Sequence, residues 1–418
     1  MARETTMRAT CPNCGSERCV GFYAVHGVPT NSCLLVSDRQ QALDFQTGDI
    51  ALSFCQTCGF IFNALWQPDR TVYSEQYEET QGFSPTFNTF HRRLAEELVE
   101  RHQLHEKDVL EIGCGKGEFL SLICELGRNR GVGYDPSFVP ARLDGHAQQI
   151  RFVRDFFTES TAESPPDFVC CKMTLEHIGE TRRFVDAVRR LASAERGTVV
   201  FFQIPDVRRI LSETAFWDIY YEHCSYFSPA SLAYLFRHAG FEVLRTSTGY
   251  DDQYLMIEAR AATDGLDVAS IAAERQEMET LAGQAADFTA AVDRIAGEWR
   301  AQLHQRIVRS RRTVLWGSGS KAVAFLTTLG IRDEIEYVVD INPFRQGRFV
   351  PGTGQRIVPP SFLAQYRPDL VIVMNPIYCG EIGAELRRQG VSAELVSVGS
   401  NRRLTESFAE PASTRVAV

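Results

Sequence analysis

The sequence lacks a long hydrophobic run and lacks an excess of positive charge. No run in its 418 residues approaches the roughly 18 apolar residues that a membrane helix needs. Its 44 lysines and arginines are outnumbered by 53 aspartates and glutamates, for a net charge of −9, whereas phosphate-backbone binding needs a positive field. The first residues, MARETTMRAT, contain no apolar signal core. We therefore expect a cytoplasmic protein that binds neither membranes nor nucleic-acid polymers.

Proline is absent from residues 262–310, a segment rich in Ala, Glu, Gln and Arg. This composition predicts one or two long amphipathic helices. On both sides of it, short β-rich runs alternate with helical patterns, which is typical of parallel α/β sheets. We therefore predict an α/β protein with a small amino-terminal domain (1–75), a first α/β domain (76–260), a helical linker (261–310), a second α/β domain (311–405) and a flexible tail (406–418).

Cysteine is abundant, with twelve residues. In a large chain without a signal sequence these predict metal ligands and reduced thiols rather than disulfides. Cys11 with Cys14, and Cys55 with Cys58, form two Cys-x-x-Cys pairs, which together can complete a closed tetrahedral site for a structural zinc ion. Four unrelated thiols or a redox pair are the alternatives, but two such pairs in one segment favour a metal.

A glycine-rich loop, VLEIGCGKGEFL, leads from a predicted strand into a predicted helix. Its glycines allow a ligand to approach the backbone, and the helix start offers free N–H groups. Glu111 precedes the loop, and Asp135 ends the next strand, where a carboxylate can accept both hydroxyls of a ribose. Asp155 is placed to meet an adenine edge. A dehydrogenase is the alternative, but its glycine spacing is G-x-G-x-x-G.

A second glycine loop, VLWGSGSKAVAFL, begins the later α/β region and is followed by VVDINPFRQGRFVPGT. Lys321 at the helix start, with Arg345 and Arg348 downstream, suggests a site for a diphosphate or another anionic group. The alternative is a degenerate half that only packs against the first.

The stretch FWDIYYEHCSYFSP, residues 216–229, surrounds the titratable pair Glu222 and His223 with aromatic side chains. A histidine with a pKa near neutrality suits the removal of a proton, and its neighbours can tune that pKa. A buried hydrogen-bonded Glu-His pair without a chemical role is the alternative.

The glycine loop, its strand-end acids and the LEHI motif resemble the class I S-adenosylmethionine-dependent methyltransferases over about residues 90–260. The resemblance implies a Rossmann-like core in which the loop holds the methionine part of the cofactor, Asp135 holds the ribose, and LEHI lies beside the methyl-transfer cleft. The cofactor-binding residues that we predict are Glu111, Gly113, Cys114, Gly115, Gly117, Asp135, Asp155, Leu175 and His177.

The order of the whole chain resembles the C-methyltransferases that make branched deoxysugars, a family linked to antibiotic biosynthesis. These act on thymidine-diphosphate-linked 3-keto or 4-keto sugars between the central domain and a second Rossmann-like carboxy-terminal domain. The resemblance implies His223 as base, Glu222 and Tyr220 beside it, and Tyr77 closing over the substrate. Met374 stands where the family tends to have Trp, and WGSGSKA replaces Y-G-A-x-x-K-G. Predicted substrate-binding residues are Tyr221, Lys321, Asn342, Arg345, Arg348 and Asn375.

Carbon methylation needs a carbanion equivalent, so a base must remove a proton next to a ketone while a donor stabilises the enolate oxygen. We expect His223 to be that base, Tyr220 or Tyr221 to be the donor and Glu222 to orient the base. O- or N-methylation of another small natural-product intermediate is the alternative within the class. A non-catalytic zinc-containing binding or scaffold protein is the alternative outside it. We expect a monomer or a homodimer.

Overall fold

The computed structural model describes residues 10–142, 149–158, 165–192, 197–262 and 270–399. The predicted flexible tail, 406–418, lies outside the described residues. This part of the chain contains three sheets, the shorter helices that accompany them and one long helix. None of its helices combines the length and the apolar character needed to cross a bilayer.

An antiparallel four-stranded sheet forms the amino-terminal part and contains β1 (Cys19–Pro29), β2 (Thr47–Cys55), β3 (Ile61–Asn63) and β9 (Ser225–Tyr226), in the order β1-β2-β3-β9. A short helix, α1 (Arg39–Leu43), lies between β1 and β2. The last strand comes from the aromatic stretch far along the chain, because Tyr226 pairs with Ile61. The amino-terminal sheet therefore holds the segment that carries His223.

A seven-stranded sheet is the centre of the first α/β region, in the order β10-β11-β8-β7-β4-β5-β6. The five strands from β4 to β8 are parallel, and β11 runs antiparallel to β8 and to β10. Its central strands β7 and β8 are buried along almost their whole length and are mostly apolar, because helices cover both faces. The strands are β4 (Asp108–Ile112), β5 (Arg130–Tyr134), β6 (Ile150–Val153), β7 (Phe168–Lys172), β8 (Val199–Pro205), β10 (Phe241–Gly249) and β11 (Tyr254–Ala261).

Five helices accompany this sheet: α2 (Pro85–Arg101), α3 (Glu118–Gly127), α4 (Thr181–Leu191), α5 (Val207–Ser212) and α6 (Pro229–His238). Two of them start with proline after a capping serine, Ser84 for α2 and Ser228 for α6. Proline suits the first turn because its missing N–H would have no partner there. The proline-free segment forms one helix, α7 (Ser270–Val308), where one or two were predicted. Phe288 on α7 packs edge-on against Tyr23 of β1.

A five-stranded parallel sheet forms the carboxy-terminal part, in the order β14-β13-β12-β15-β16. Its elements are β12 (Thr313–Trp316), α8 (Ser320–Leu329), β13 (Tyr337–Val339), β14 (Arg356–Val358), α9 (Leu363–Tyr366), β15 (Leu370–Val373), α10 (Cys379–Arg388) and β16 (Glu394–Ser397). Four of these strands were predicted, and β14 was missed because it is only three residues long and follows a turn-rich segment. The loops after β12, β13 and β15 meet those after β4, β5 and β7 around one cavity.

Candidate active site

A cavity of about 560 Å³ lies between the two α/β sheets. A volume of this size suits a small-molecule site, because such sites usually span about 300–1,000 Å³. One wall contains the first glycine loop, a second contains the loop after β12, and the amino-terminal segment around Tyr73 and Tyr77 forms part of the rest. The cavity thus joins parts of the chain that are far apart in sequence.

The first glycine loop follows β4 with all three of its glycines at positive φ: Gly113 at 72°, Gly115 at 53° and Gly117 at 84°. A side chain at Gly113 would also collide with Thr174, which follows β7. Asp135 fixes the loop from the next strand: its Oδ2 accepts a hydrogen bond from Gly115 N at 2.8 Å. Its Oδ1 accepts bonds of 2.7 Å from both the N–H and the hydroxyl of Ser137. The loop is therefore held open towards the cavity before any ligand binds.

Seven of the nine predicted cofactor-binding residues line the cavity: Glu111, Gly113, Cys114, Gly115, Asp135, Asp155 and His177. The structure does not bring the other two there. Leu175 is fully buried in the apolar core, and Gly117 caps α3 at a φ of 84°. Burial raises the pKa of Glu111 to about 7, although the charge of the buried Lys172 opposes this shift. One oxygen of that carboxyl, Oε2, has no hydrogen-bond partner in the described part of the chain.

His223 lines the cavity, and only 3% of its surface is exposed. The ring of Tyr220 lies over it with centroids 4.1 Å apart, and the ring of His177 meets it edge-on at 4.8 Å. Burial is the main cause that lowers the pKa of His223 well below its usual value, and the charges of His177 and Lys321 lower it further. The imidazole is therefore neutral near pH 7 and can accept a proton.

The two residues between Tyr220 and His223 take different positions from those we expected. Glu222 is fully buried, and its Oε1 accepts hydrogen bonds from Ser32, at 2.5 Å from the N–H and 2.7 Å from the hydroxyl. Tyr221 packs in the core under Gly48, and its Oη accepts a bond of 3.0 Å from Gln67 N. The structure therefore brings Tyr220 and His223 to the cavity but not Tyr221 or the Glu222 carboxyl.

Tyr77 lines the cavity as predicted from the resemblance, and its ring meets that of Tyr73 edge-on at 5.1 Å. The carbonyl of Tyr77 accepts a hydrogen bond of 2.7 Å from the buried Lys116, which lies within the first glycine loop. The contact ties the amino-terminal segment to the loop.

The cavity residues that the sequence analysis missed include Tyr73, Glu79 and Glu176. Tyr73 Oη lies 2.9 Å from Nδ1 of His177. Burial raises the pKa of Glu79 to about 7 even though Lys116 lies 3.5 Å away. Glu176 lies in the LEHI motif, next to a residue that was singled out, and this position was its only signal in the sequence.

The predicted substrate-binding residues of the second α/β region are largely engaged with the protein itself. Lys321 donates to Asp218, and Arg345 donates to the carbonyls of Ser318 and Glu78. Asn342 donates to Oε1 of Glu78 at 2.8 Å. These three line the cavity together with Asn375, which exchanges two hydrogen bonds of 3.0 and 2.9 Å with Gln253. Arg348 is not brought to the cavity.

The four predicted zinc ligands converge, and their sulfur atoms lie within 4.8 Å of one another. Cys11 and Cys58 are 3.7 Å apart, and Cys14 and Cys55 are 3.6 Å apart. A tetrahedral zinc ion with bonds of about 2.3 Å separates its sulfur ligands by about 3.8 Å, so this set fits the ion. Glu176, His177 and His223 form a second cluster of ligating atoms, but Nδ1 of His177 already bonds Tyr73.

Comparison with known families places two domains on the chain. Residues 87–246 match the methyltransferase domain, and residues 256–393 match the C-methyltransferase C-terminal domain. The C-methyltransferase NovU of Streptomyces niveus is 28% identical over 391 residues, which cover 89% of this chain and 90% of that protein.

Solved structures were also compared. The magnesium protoporphyrin IX methyltransferase of Synechocystis PCC 6803 covers 42% of this chain and 84% of its own, with 15% identity and a TM-score of 0.34. The 1,6-didemethyltoxoflavin-N1-methyltransferase of Burkholderia thailandensis covers 43% and 82%, with 18% identity and a TM-score of 0.34. The two domain matches and the similarity to NovU identify the chain as an S-adenosylmethionine-dependent methyltransferase that carries a C-methyltransferase C-terminal domain.

Proposed function

We propose that this protein methylates the carbon next to the ketone of a nucleotide-linked deoxysugar, with His223 as the base that generates an enolate. The observation that carries the proposal is a neutral, buried imidazole in the same cavity as the first glycine loop. The C-methyltransferase C-terminal domain and the similarity to NovU support carbon as the atom that is methylated.

The cofactor S-adenosylmethionine supplies an electrophilic methyl group on a positively charged sulfur. We assign its site to the first glycine loop, where Gly113 and Gly115 line the cavity at positive φ angles that glycine adopts without strain. Asp135 is fixed by three hydrogen bonds and keeps acceptor capacity for a ribose hydroxyl, because a carboxylate offers about four acceptor positions. Asp155 also lines the cavity, and we assign the adenine edge to it.

His223 is suited to proton removal because it is neutral and enclosed. A hydrogen on carbon next to a ketone is acidic only if the base is correctly placed and the enolate oxygen is stabilised. Aromatic side chains enclose the imidazole, and burial raises the pKa values of Tyr73, Tyr77 and Tyr220 well above their usual value, so these hydroxyls remain donors. An enclosed, dry site strengthens each hydrogen bond to the developing charge.

The nucleotide part of the acceptor needs cations for its diphosphate. Lys321 and Arg209 both line the cavity, and both pair with Asp218, with Arg209 Nη1 at 3.3 Å. Glu213 also pairs with Arg209, at 2.9 Å, so two carboxylates balance these two cations, and we assign the diphosphate to this wall as a competing partner for Lys321 and Arg209. Arg345 and Asn342 instead hold Glu78 and shape the cavity from behind.

We also propose that the four cysteines bind a structural zinc ion. Their geometry fits a closed tetrahedral site, and closed sites stabilise a fold rather than perform chemistry. The site lies beside the sheet that pairs with the His223 segment: Phe60 contacts Phe227, with ring centroids 4.7 Å apart. Zinc would thus hold the strand pair that positions the base.

The decisive experiment supplies thymidine-diphosphate-linked 3-keto and 4-keto sugars that carry deuterium next to the ketone, together with labelled S-adenosylmethionine. We expect a methylated product that has lost deuterium from the methylated carbon, and a His223→Ala variant that loses at least about 100-fold in turnover. Calorimetry should show that this variant binds the cofactor as tightly as the wild type. Full turnover by His223→Ala would contradict the assignment of the base.

The alternatives give different products in the same assay. Methylation of oxygen or nitrogen adds the same mass but leaves the deuterium in place. A scaffold protein would transfer no label to any acceptor. Methylated product that keeps its deuterium would therefore overturn the enolate mechanism while leaving methyl transfer intact.

A further inference from the structure

Glu176 is a buried carboxyl whose oxygen atoms have no hydrogen-bond partner in the described part of the chain. It lies in a short turn, Leu175–His177, directly after β7, and it lines the cavity with 1% of its surface exposed. An ionised carboxylate in such a place would lose its hydration without replacement, which is strongly unfavourable. The protonated carboxylic acid avoids most of that penalty and has one O–H to donate.

Glu176 lies close to the base, and the titratable groups around it carry no charge near pH 7. Oε1 lies 4.0 Å from Nε2 of His223. Burial raises the pKa of Glu176 to about 8. None of the described lysines or arginines forms an ion pair with it. The other titratable groups nearby are all neutral near pH 7: His177, Tyr73, Tyr220, Tyr254, Cys171 and Cys224.

We propose that Glu176 is a catalytic residue that, as a neutral carboxylic acid, donates a hydrogen bond to the enolate oxygen while His223 removes the neighbouring proton. The inference rests on the proposed function and names a donor for its enolate. The C–H bond breaks and its proton moves to the imidazole, while the electron pair forms the C=C bond and places negative charge on the former carbonyl oxygen. The Glu176 proton remains on Glu176.

The carbon then forms a bond to the methyl group, and the electron pair of the breaking C–S bond stays on sulfur, which leaves as part of S-adenosylhomocysteine. The new C–C bond restores the ketone, and the imidazolium returns its proton to water. One acid and one base at the same cavity wall can act on the carbonyl oxygen and on the adjacent C–H. The apolar surroundings that keep Glu176 neutral are what allow a carboxyl to act as a donor.

The neighbouring tyrosines do not replace this group. Tyr221 is outside the cavity, and its oxygen is bonded to Gln67. Tyr73 Oη is engaged with His177. Tyr220 lines the cavity and can add a second hydrogen bond, but burial raises its pKa well above 10, so it would not ionise where Glu176 does. The two donors can therefore be separated by pH.

The test is the pH dependence of kcat for wild type, Glu176→Gln and Glu176→Ala on the deuterated keto sugar. We expect wild-type kcat to fall about tenfold per pH unit above about pH 8, because the ionised carboxylate repels the enolate. Glu176→Gln keeps an N–H donor that does not titrate, so it should stay within about tenfold of wild type at pH 7 and lose the alkaline fall. Glu176→Ala should lose about 100- to 1,000-fold at pH 7.

Glu222→Gln is the matched control. Glu222 is as deeply buried as Glu176 and lies two residues after Tyr220 in the sequence, but its carboxylate accepts a hydrogen bond from Ser32. Whatever the kcat of this variant is at pH 7, its kcat should still fall above the same pH as in the wild type. A second readout is exchange of the sugar's α-hydrogen with solvent when S-adenosylhomocysteine replaces the cofactor: Glu176→Ala should slow it as much as it slows turnover.

Three outcomes would overturn the inference: a wild-type profile flat from pH 7.5 to 9.5, an alkaline fall that persists in Glu176→Gln, or a second bound metal ion that disappears in that variant. A metal ion requires the ionised carboxylate. Cofactor binding by calorimetry verifies that each variant is folded, and if Glu176→Ala fails this check, the profile of Glu176→Gln decides alone. A wild-type enzyme that turns over no keto sugar contradicts the proposed function itself, before any variant is compared.

Discussion

The two α/β halves of the molecule fix their glycine loops with the same pattern of hydrogen bonds to an aspartate, but the polar groups around the two loops differ. In the first half, Asp135 after β5 accepts hydrogen bonds from Gly115 N and from Ser137. In the second half, Asp340 after β13 accepts 2.9 Å and 2.5 Å bonds from the N–H and hydroxyl of Ser318, and one of 2.8 Å from Asn342 N. Each aspartate therefore fixes a glycine loop against the neighbouring strand.

The difference lies in what the remaining polar groups do. Around the first loop, Glu111 and Glu176 carry buried oxygens without hydrogen-bond partners in the described part of the chain, and both residues line the cavity. Around the second loop, Lys321, Asn342 and Arg345 already contact Asp218 and Glu78. On the proposed function, the first half therefore carries the cofactor loop and the base, whereas the second half closes the cavity, supplies Lys321 to the diphosphate site and, through Asn342 and Arg345, holds the amino-terminal segment in place.

The largest expected effect comes from the proposed zinc site. Its loss should affect the first α/β half much more than the second. Replacing Cys58 with Ser removes one of four ligands, and zinc sites of small domains contribute about 10–16 kcal/mol of apparent binding energy. We expect loss of zinc, loss of methyl transfer and faster hydrogen exchange in β3 and in residues 216–229, because β9 pairs with β3. The five-stranded sheet should keep its protection.

The matched control for the zinc site is Cys19→Ser. Cys19 lies nearby but donates to the carbonyl of Ser16 instead of joining the cluster. This variant should keep one zinc ion by elemental analysis and wild-type activity. Retention of zinc in Cys58→Ser, or loss of exchange protection spread equally over both halves, would contradict the assigned role.

The next largest effect concerns Glu78, the buried carboxylate that joins the two halves. It accepts 2.8 and 2.9 Å hydrogen bonds from Arg142 of the first half and 2.8 Å from Asn342 of the second. Glu78→Gln leaves Arg142 without its charge partner, which should lower the free energy of unfolding by about 3 kcal/mol. Chemical denaturation measures this value. Glu75→Gln, which breaks an exposed pair with Arg154, should change it by less than about 1 kcal/mol.

The Glu78 contribution should also depend on pH. Burial alone would raise the pKa of Glu78, but hydrogen bonds and charges from Arg142 and Asn342 outweigh burial and lower it below the usual 4.5. The stabilisation is therefore fully present above about pH 4.5 and is lost as the pH falls through the lower folded-state pKa. Glu78→Gln should remove this part of the acid dependence, and an unchanged acid limb would contradict the assignment.

Much of the scaffold follows from local sequence signals, whereas the site depends on distant contacts. Alternating strand and helix patterns with glycine loops predicted both parallel sheets, and cysteine spacing predicted a cluster that the structure brings together. Which face a side chain takes in an irregular stretch cannot be read locally: Tyr220 reaches the cavity while Tyr221 enters the core. The pairing of Lys321 with Asp218 joins residues 103 positions apart, so no sequence motif could indicate it.

The smallest of the expected effects tests the comparison most directly, by making the same substitution in both loops. Asp135→Asn replaces a charged acceptor that fixes the loop and that we assign to the ribose, whereas Asp340→Asn weakens the Ser318 and Asn342 contacts. Each charge-assisted hydrogen bond contributes about 1.5–3 kcal/mol. We expect the Kd for S-adenosylmethionine, measured by calorimetry, to rise about 30- to 100-fold in Asp135→Asn and less than about threefold in Asp340→Asn. Both variants should melt at similar, slightly lowered temperatures, because each loses comparable loop contacts. Equal effects on cofactor affinity would mean that the two loops do not divide binding and closure between them.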